Sequence, residues 1–279
     1  MTNKSKRHHY VPQSLLNGFC FQGSTLLLFD RAEPEKGIRE RNVKKAFQAF
    51  YENSFIDLEG KRNSSAEIEF ARRYDNDIRN VAARFFSRVQ TDDDVRFLAK
   101  FCASWLLRTP SLRDRIFSES GVSDVLHELQ QLVLEDPRLA HRRKKMAQEI
   151  GAENWGEKLR AEFGIIVPEE IVDTLLSGTY ALVKPSVGSS EFIMTDTPVA
   201  NFGGTGAENS EVWSILAPKL AVVFFPERKN PAPFISVPAD AAVISMVNRH
   251  FAERARYIAA RCPLVIHEAV KGLPVHREN

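Results

Sequence analysis

The spacing of apolar residues changes along the chain, and each spacing is typical of a different kind of structure. Residues 24–30 form a short, strongly apolar run, as in a buried strand, and a polar turn at 34–37 predicts a hairpin that returns through 38–43. Residues 64–177 place apolar side chains at helical spacing. After Gly178, short apolar runs alternate with loops rich in Gly, Pro and Asn. Segregated blocks of this kind predict an α+β fold rather than a doubly wound parallel sheet.

The central helical block has recognisable helix starts. Ser64 and Glu67 have the spacing of a capping box, and one long amphipathic helix is predicted from there to about Val89. Its apolar face comprises Ile68, Ala71, Ile78, Val81, Ala82 and Phe85. A second helix begins at the acidic run 91–94 and ends near Arg108, where a proline follows. Further helices are predicted at 122–134, 138–150, 155–163 and from 168 onward.

The C-terminal segment is predicted to hold a mixed or antiparallel sheet and one long helix. The predicted strands are 180–183, 191–194, 212–216, 220–225 and a final strand at 264–267. The helix runs from Ala239 to about Ala255, and the residues after Gly272 are expected to fray. The whole chain, 1–279, is interpreted as a single domain with sub-blocks 1–60, 61–178 and 179–279.

Composition limits the possible functions. Of the 279 residues 43% are hydrophobic, enough for a large core, and the formal net charge of +2 creates no global attraction to nucleic acid or membrane. The three cysteines are widely separated, which favours a reducing compartment. No apolar stretch follows the basic residues 1–10, so we expect no secretory signal, and no apolar run approaches the roughly 20 residues of a membrane span. We therefore expect a cytoplasmic protein without a membrane partner.

A pair of histidines, His8 and His9, is the first candidate for chemistry. Imidazole titrates near neutral pH, which suits proton transfer, and its neutral form binds transition metals. Neighbouring residues of an extended chain point to opposite faces, so one of the two would enter a site. Pro12 fits the first turn of a short helix that follows. The alternative is that the first ten residues are only an exposed basic tail.

The opening of the chain also resembles a known family. Residues 6–19, Lys-Arg-His-His-Tyr-Val-Pro-Gln-Ser-Leu-Leu-Asn-Gly-Phe, are similar to the start of a bacterial family of proteins of unknown function, DUF4238, whose members continue into a strand that ends in Asp, here at residue 30. Weaker similarity covers Arg108-Thr109-Pro110, the segment 195–199, and Asn248 with Ala252 and Arg254. The resemblance implies that the histidine pair belongs to the protein. It implies no activity.

Three acidic residues are candidate partners of the histidines. Glu67 and Asp75 are eight residues apart, close to two helical turns, and would project from one helix face. Asp196 stands between a predicted strand and Pro198, where a stiff turn would hold it in a site. Carboxylates near a histidine coordinate a divalent metal or act as acid and base, so His9, Glu67 and Asp196 are candidate metal ligands. The alternatives are helix capping for Glu67 and turn formation for Asp196.

Other polar residues would bind substrate. Arg108 ends an apolar helix face and would clamp a phosphate or carboxylate, although a helix C-terminus also accepts positive charge without a functional reason. Gln13 and Asn248 are further candidates. A basic face is predicted from His141, Arg142, Arg143, Lys144 and Lys145 with Arg72, Arg73, Arg79, Arg84 and Arg88. That face would contact nucleic-acid phosphates, or it is an ordinary solvated helix surface.

Two hypotheses follow from these residues. The first is an enzyme acting on phosphodiesters, a nuclease of the kind used in bacterial stress or phage defence, with an unidentified divalent metal as the candidate cofactor. The second is a non-catalytic binding module in which His9 and Gln13 form a structural clasp. The Arg-x5-His spacing of Arg261 and His267 occurs in helical ribonucleases, but the run 264–266 favours a strand and argues against that motif.

Overall fold

A computed structural model of the protein describes residues 7–9, 11–50, 55–56, 62–108, 165, 167–203, 210–226 and 234–276. The predicted α+β class is confirmed, because helices pack with two main sheets of four and five strands. The strands are β1 Arg7–His9, β2 Thr25–Asp30, β3 Arg39–Asn42, β4 Gln48–Phe50, β5 Phe55–Ile56, β6 Arg62–Asn63, β7 Thr179–Pro185, β8 Met194–Thr195, β9 Val199–Phe202, β10 Glu211–Ala217, β11 Leu220–Phe225, β12 Phe234–Ala239 and β13 Tyr257–Ala260. The α-helices are α1 Gln13–Leu16, α2 Ser65–Tyr74, α3 Ile78–Ser87, α4 Asp92–Leu107, α5 Glu169–Ser177, α6 Ala241–Arg254 and α7 Pro263–Val270.

The larger sheet has the order β12-β7-β11-β10-β9 and is mixed, because β12 runs parallel to β7 while the other pairs are antiparallel. The smaller sheet is antiparallel with the order β3-β2-β13-β8. Strands β1 and β4 form a separate antiparallel pair at the N-terminus, and β5 pairs with β6. The smaller sheet therefore joins the N-terminal hairpin β2–β3 to a strand that follows the last long helix.

Helix α4 lies at the centre of the core and is defined by its own sequence. Thr91 caps its N-terminus in a capping box with Asp94, and Asp94 also accepts from Arg84 of α3 at 2.5 and 2.8 Å. These contacts lower the pKa of Asp94 to about 2. The helix packs against β9, β10 and α5, and its Phe101 and Cys102 are fully buried. Burial raises the pKa of the Cys102 thiol to about 12, so this cysteine is a core residue.

The single long helix predicted from 64 to 89 is wrong. The chain forms α2 and α3 with a break at residues 75–77, Asp-Asn-Asp, whose short polar side chains compete with helical backbone hydrogen bonds. The predicted capping box also fails at Ser64, whose side chain accepts no cap hydrogen bond, while Asn63 Oδ1 accepts from Ser65 N at 2.9 Å. Ile68, placed on the apolar face, is 68% exposed.

Three predictions at the chain ends are also wrong. Residues 7–9 form a strand rather than an exposed tail. Residues 264–267 lie in α7, which begins at Pro263, and the last strand is Tyr257–Ala260, before that helix. The strand-based argument against Arg261 and His267 therefore fails. Residues 272–276 are docked, because His276 N donates to Arg31 O at 3.0 Å.

Other predicted elements are found with small shifts in their bounds, among them α1, β2, β3, α4, α5, β7, β10, β11 and α6. Strands β9 and β12 were not predicted. The helices predicted at 122–134, 138–150 and 155–163 lie outside the described residues. Within the described part of the chain, no helix has the length and apolar character needed to cross a membrane.

Candidate functional site

Three strand ends meet at one edge of the smaller sheet and bring charged residues together. Asp30, the last residue of β2, is paired with Tyr257 at the start of β13. Ile258, next along β13, is paired with Thr195 at the end of β8, so Asp196 follows at the same edge. We call Asp30, Asp196, Arg256 and Tyr257 the Asp196 cluster. Of its four residues only Asp196 was among the sequence candidates.

The two carboxylate oxygens of Asp196 differ: Oδ2 accepts a backbone hydrogen bond, and Oδ1 has no partner in the described part of the chain. Its backbone amide donates to Tyr257 O at 3.2 Å, and its Oδ2 accepts from the Arg256 backbone amide at 3.3 Å. Its Oδ1 is buried and has no hydrogen-bond partner within the described part of the chain. Burial raises the pKa of Asp196 from 3.8 to about 7, against backbone hydrogen bonds and the Arg256 charge, which favour the ionised form.

Asp30 has a different environment although it lies beside Asp196. It is 3% exposed, and its two carboxylate oxygens accept from Arg256 Nε at 3.2 Å and Nη2 at 3.4 Å. Its Oδ1 also accepts from Ala32 N at 3.0 Å. The Arg256 guanidinium in turn lies 4.8 Å from the centre of the Tyr257 ring. Arg256 therefore contacts both carboxylates, one through its side chain and one through its backbone.

Arg31 fixes the position of this cluster from behind. Its backbone amide donates to Arg256 O at 2.9 Å, and its buried guanidinium donates to the C-terminal carbonyls of α6: Ala252 at 2.6 Å, Glu253 at 3.1 Å and Ala255 at 2.8 Å. It also donates to Pro274 O at 3.0 Å, which docks the C-terminal segment. Burial lowers the pKa of Arg31, and the charge of Asp196 opposes that shift. Arg31 thus joins β2, the end of α6 and the chain terminus.

Phe47 connects the histidine strand to the cluster. Its ring packs edge-on against Tyr257 with 6.1 Å between centroids, and it is a buried non-glycine residue with a positive φ of 53°. The next residue, Gln48, is the register partner of His9, and Ala49 is the partner of His8. The histidine strand is therefore connected to Tyr257 through Gln48, its pairing partner, and the adjacent Phe47. The side chains of His8 and His9 lie outside the described part.

The short helix after the histidine pair contacts the backbone of Asp75. Ser14 Oγ, one residue after Gln13 in α1, donates to the Asp75 backbone carbonyl at 2.9 Å. Asp75 is the C-terminal cap of α2. This hydrogen bond joins α1 to the end of α2, and the roles predicted for Gln13 and for the Asp75 carboxylate stay predictions.

Glu67 and Arg108 belong to another part of the helical block. Arg108 caps the C-terminus of α4 and is 9% exposed, and its guanidinium carbon lies 4.3 Å from the centre of the Phe70 ring in α2. Phe70 comes three residues after Glu67, whose side chain lies outside the description. The stacking on Phe70 gives Arg108 a packing role beside any anion that it binds.

Asn248 is committed to the fold. It is 4% exposed, its Oδ1 accepts from Ile193 N at 3.0 Å and its Nδ2 donates to Glu191 O at 2.8 Å. Both ends of the amide therefore hold the segment that leads into β8, which ends next to Asp196. The substrate-binding role predicted for Asn248 stays a prediction, and the contacts show that its amide holds the segment before β8 in place.

The predicted basic face is largely neutralised where it is described. Arg72 and Arg73 both donate to Glu69, whose pKa falls to about 2, and Arg84 is paired with Asp94. Arg88 donates to Ser236 Oγ at 2.9 Å. The Arg79 guanidinium is exposed and has no hydrogen-bond or ion-pair partner within the described ranges. The predicted basic run 141–145 lies outside them.

The predicted metal site remains a prediction. Among the residues that the structure describes, which do not include the side chains of His8, His9 and Glu67, no group of three or more His, Cys, Asp or Glu is arranged to hold a metal ion. Asp196 is the described candidate ligand with a bare oxygen, and carboxylate oxygen suits Mg²⁺ or Mn²⁺.

Sequence reasoning missed Asp30, Arg31, Phe47 and Arg256. One signal was available for the first two, because a charged pair that directly follows the apolar run 25–29 is expected at a buried strand end. No local pattern indicates Phe47 or Arg256, which become important through long-range packing.

The fold and this cluster define an α+β protein in which acidic and arginine side chains meet at the ends of three strands of one sheet. The family model described as protein of unknown function (DUF4238) matches residues 7–262, and the chain therefore belongs to this family, as the resemblance predicted. No curated protein and no solved structure shows significant similarity to the chain.

Proposed function

We propose that the protein is a phosphodiesterase, acting on nucleic acid, whose reaction centre lies at the Asp196 cluster next to the histidine strand. The observation that carries the proposal is the Asp196 carboxyl group, which combines a buried oxygen without a described partner and a pKa of about 7. Such a group both accepts and donates protons at neutral pH, whereas an ordinary surface carboxylate does not.

The remaining residues fit a hydrolytic reaction. A base removes a proton from the attacking water, the water oxygen bonds to phosphorus, and the bond from phosphorus to the leaving oxygen breaks as an acid supplies a proton to it. Asp196 and one imidazole of the histidine pair would divide the roles of base and acid, since the pKa of Asp196 is raised to about 7 and imidazole groups in general are suited to proton transfer near neutral pH. Arg256 would stabilise the charge that develops on the phosphate oxygens.

A divalent cation is the second route to the same reaction. It would lower the pKa of a bound water and neutralise phosphate charge, with Asp196 and His9 as its candidate ligands. The role of the histidines then changes from proton transfer to coordination. A chelator distinguishes these two routes.

The second candidate function is binding without catalysis. It is favoured by the way Arg31 and Asn248 use nearly all of their polar groups to fasten the segments around Asp196. In that case the bare Asp196 oxygen would accept a hydrogen bond from a ligand. A cytoplasmic location is part of either proposal and is supported by the three cysteines, all of which are free thiols.

The test is cleavage of end-labelled single- and double-stranded RNA and DNA by the purified protein. Reactions contain Mg²⁺, Mn²⁺ or chelator and are run beside His8→Ala/His9→Ala. Cleavage that requires metal and is lost in the folded double variant supports the metal route, and metal-independent cleavage lost in the variant supports acid–base chemistry. Cleavage that survives both His8→Ala/His9→Ala and Asp196→Asn contradicts the proposed centre. The absence of cleavage in every condition favours the binding module.

A further inference from the structure

A cleft of about 330 Å³ lies between the helix that follows the histidine motif and helix α3. We call it the α1–α3 cleft. Its apolar wall includes Leu15 of α1, Ala82 of α3 and Leu216 of β10. Its remaining wall carries Asn17, Arg79 and Phe86. The volume is at the lower end of the range of small-ligand sites.

Two polar residues of the cleft, Asn17 and Arg79, are available for a ligand, whereas the Ser14 hydroxyl in the same lining donates to Asp75 O. The side chains of Asn17 and Arg79 are exposed, and neither forms a hydrogen bond or ion pair with another residue of the described part. The lining residues include no Asp or Glu. Arg79 therefore presents a positive charge to the cleft with no acid in the lining to neutralise it, which is the complement of a phosphate.

Phe86 provides an aromatic surface at the same place. It is 48% exposed, although phenylalanine is usually buried, and it lies one turn beyond Ala82 on α3. The Lys184 ammonium lies 4.5 Å from the ring centre and donates to the Phe86 carbonyl at 2.6 Å, which holds the residue in place. Lys184 and the nearby Arg88 add positive charge around the ring.

An exposed aromatic ring beside unneutralised cations is the arrangement by which proteins hold single-stranded nucleic acid. We propose that the α1–α3 cleft binds one unpaired nucleotide of a nucleic-acid strand, with the base stacked on Phe86 and a phosphate at Arg79. The cleft lies on α1, which begins four residues after His9. The inference rests on the proposed function for the identity of the ligand, and it adds a binding site outside the Asp196 cluster.

The test measures binding separately from cleavage. Fluorescence anisotropy of labelled single strands of about 12 nucleotides, DNA and RNA, is followed with the Asp196→Asn chain in chelator at about 50 mM salt, so that the probe stays intact. Phe86→Ala is expected to weaken binding by roughly 5- to 100-fold, the effect of losing one base stack. Phe86→Leu keeps the apolar volume and is expected to lose most of the same affinity.

Arg79→Gln is expected to weaken binding and to reduce the slope of log affinity against log salt by about 0.7. Its matched control is Arg72→Gln on α2, because Arg72 is also exposed but is paired with Glu69, and this change should leave the affinity nearly unchanged. Circular dichroism and melting curves verify that every variant is folded.

Four results would overturn the inference, three of them from the binding measurements themselves. These are no binding of either strand, equal affinity of Phe86→Ala and the parent chain, and equal affinity for a duplex, in which no base is free to stack. Competition by AMP as strong as that by the strand would also overturn it and assign the cleft to a free nucleotide. If binding depends on Phe86 while the wild-type protein cleaves nothing, the cleft stands and the proposed catalytic function fails.

Discussion

Asp196 is joined to Arg256 through the Arg256 backbone amide, which donates to Oδ2 of Asp196 at 3.3 Å. The guanidinium of the same arginine donates to Asp30 instead. The two neighbouring carboxylates therefore differ in kind: Asp30 has a side-chain counter-ion, whereas Asp196 is held by backbone groups and keeps a bare, buried oxygen. Two acids in unlike environments are typical of sites in which one positions and the other transfers protons.

The raised pKa of Asp196 predicts a specific dependence of stability on pH. Folding raises this pKa from 3.8 to about 7, so the folded chain retains a proton that the unfolded chain has lost between those values. The contribution of Asp196 to stability is fully present below pH 3.8 and is lost as the pH rises through about 7. Asp196→Asn, which resembles the protonated acid, should therefore gain on the order of 2–4 kcal/mol over the wild-type protein at pH 8 and little at pH 4.

Urea unfolding of both proteins from pH 4 to pH 8 measures this difference. Asp173→Asn on α5 is the control, because that carboxylate is 64% exposed and its replacement should change the free energy of unfolding by less than about 1 kcal/mol at any pH. A constant difference between wild type and Asp196→Asn across the pH range would show that Asp196 has an ordinary pKa.

Phe47 predicts an unusual order of stability for two substitutions. Phe47→Ala removes a buried ring and should cost about 3–5 kcal/mol. Phe47→Gly removes the same ring but suits the positive φ of 53°, so it should be at least as stable as Phe47→Ala. At Phe85, inside α3, the order reverses and Gly should be about 1 kcal/mol less stable than Ala. Chemical denaturation gives the free energy of unfolding of the four variants. A Phe47→Gly protein that is less stable than Phe47→Ala would disprove backbone strain at residue 47.

Arg31 is expected to be among the residues most important for stability. Arg31→Met retains the apolar stem but leaves the α6 carbonyls and Pro274 O without their charged donor, which should cost about 3 kcal/mol or more. Arg254→Met, at the exposed last residue of the same helix, should cost less than about 1 kcal/mol, because among the described residues Arg254 donates only to His250 of its own helix. Urea unfolding at pH 7 compares the two, and equal losses would contradict the role of Arg31 as the link between β2, α6 and the C-terminal segment.

Substitution of Asn248 distinguishes a positioning role from a role in substrate binding. Asn248→Ala leaves the Ile193 amide and the Glu191 carbonyl buried without partners, so the free energy of unfolding should fall by about 2–4 kcal/mol. The affinity of the folded variant for an oligonucleotide should stay the same. Asn80→Ala, at an exposed position of α3, should alter neither quantity. A large loss of affinity with unchanged stability would restore the substrate-binding role first predicted for Asn248.

The elements predicted correctly are those with a strong local pattern. Helix α4 has both an acidic start that forms a true capping box and a regular apolar face, and β11 is an unbroken apolar run from Leu220 to Phe225. The run 264–267 was predicted as a strand because Leu-Val-Ile favours a strand locally. The helix α7 forms instead, since Pro263 suits the first helical position and α7 packs on α6. Short apolar runs remain ambiguous until their tertiary partners are known.

The residues of the candidate site also differ in whether a local sequence pattern could indicate them. Asp196 could be selected because a carboxylate between a strand and a proline is locally distinctive. Arg256 and Asp30 are 226 residues apart, and nothing near either one predicts their hydrogen bonds. Asn248 was selected through the resemblance to the family. Its two hydrogen bonds to the backbone of the segment before β8 could not be predicted from the sequence. Contacts of long sequence separation therefore account for what the sequence could not reveal.

The most direct test of the proposed centre is the rate of oligonucleotide cleavage as a function of pH for the wild-type protein and Asp196→Asn. The account predicts a wild-type rate that changes around pH 7, where Asp196 titrates, and a loss of roughly 100-fold or more in the Asn variant, which stays folded and still binds the strand. A wild-type profile without an inflection between pH 6 and 8, together with an Asn variant that cleaves at the wild-type rate, would contradict the assignment of Asp196 as the proton-transferring group.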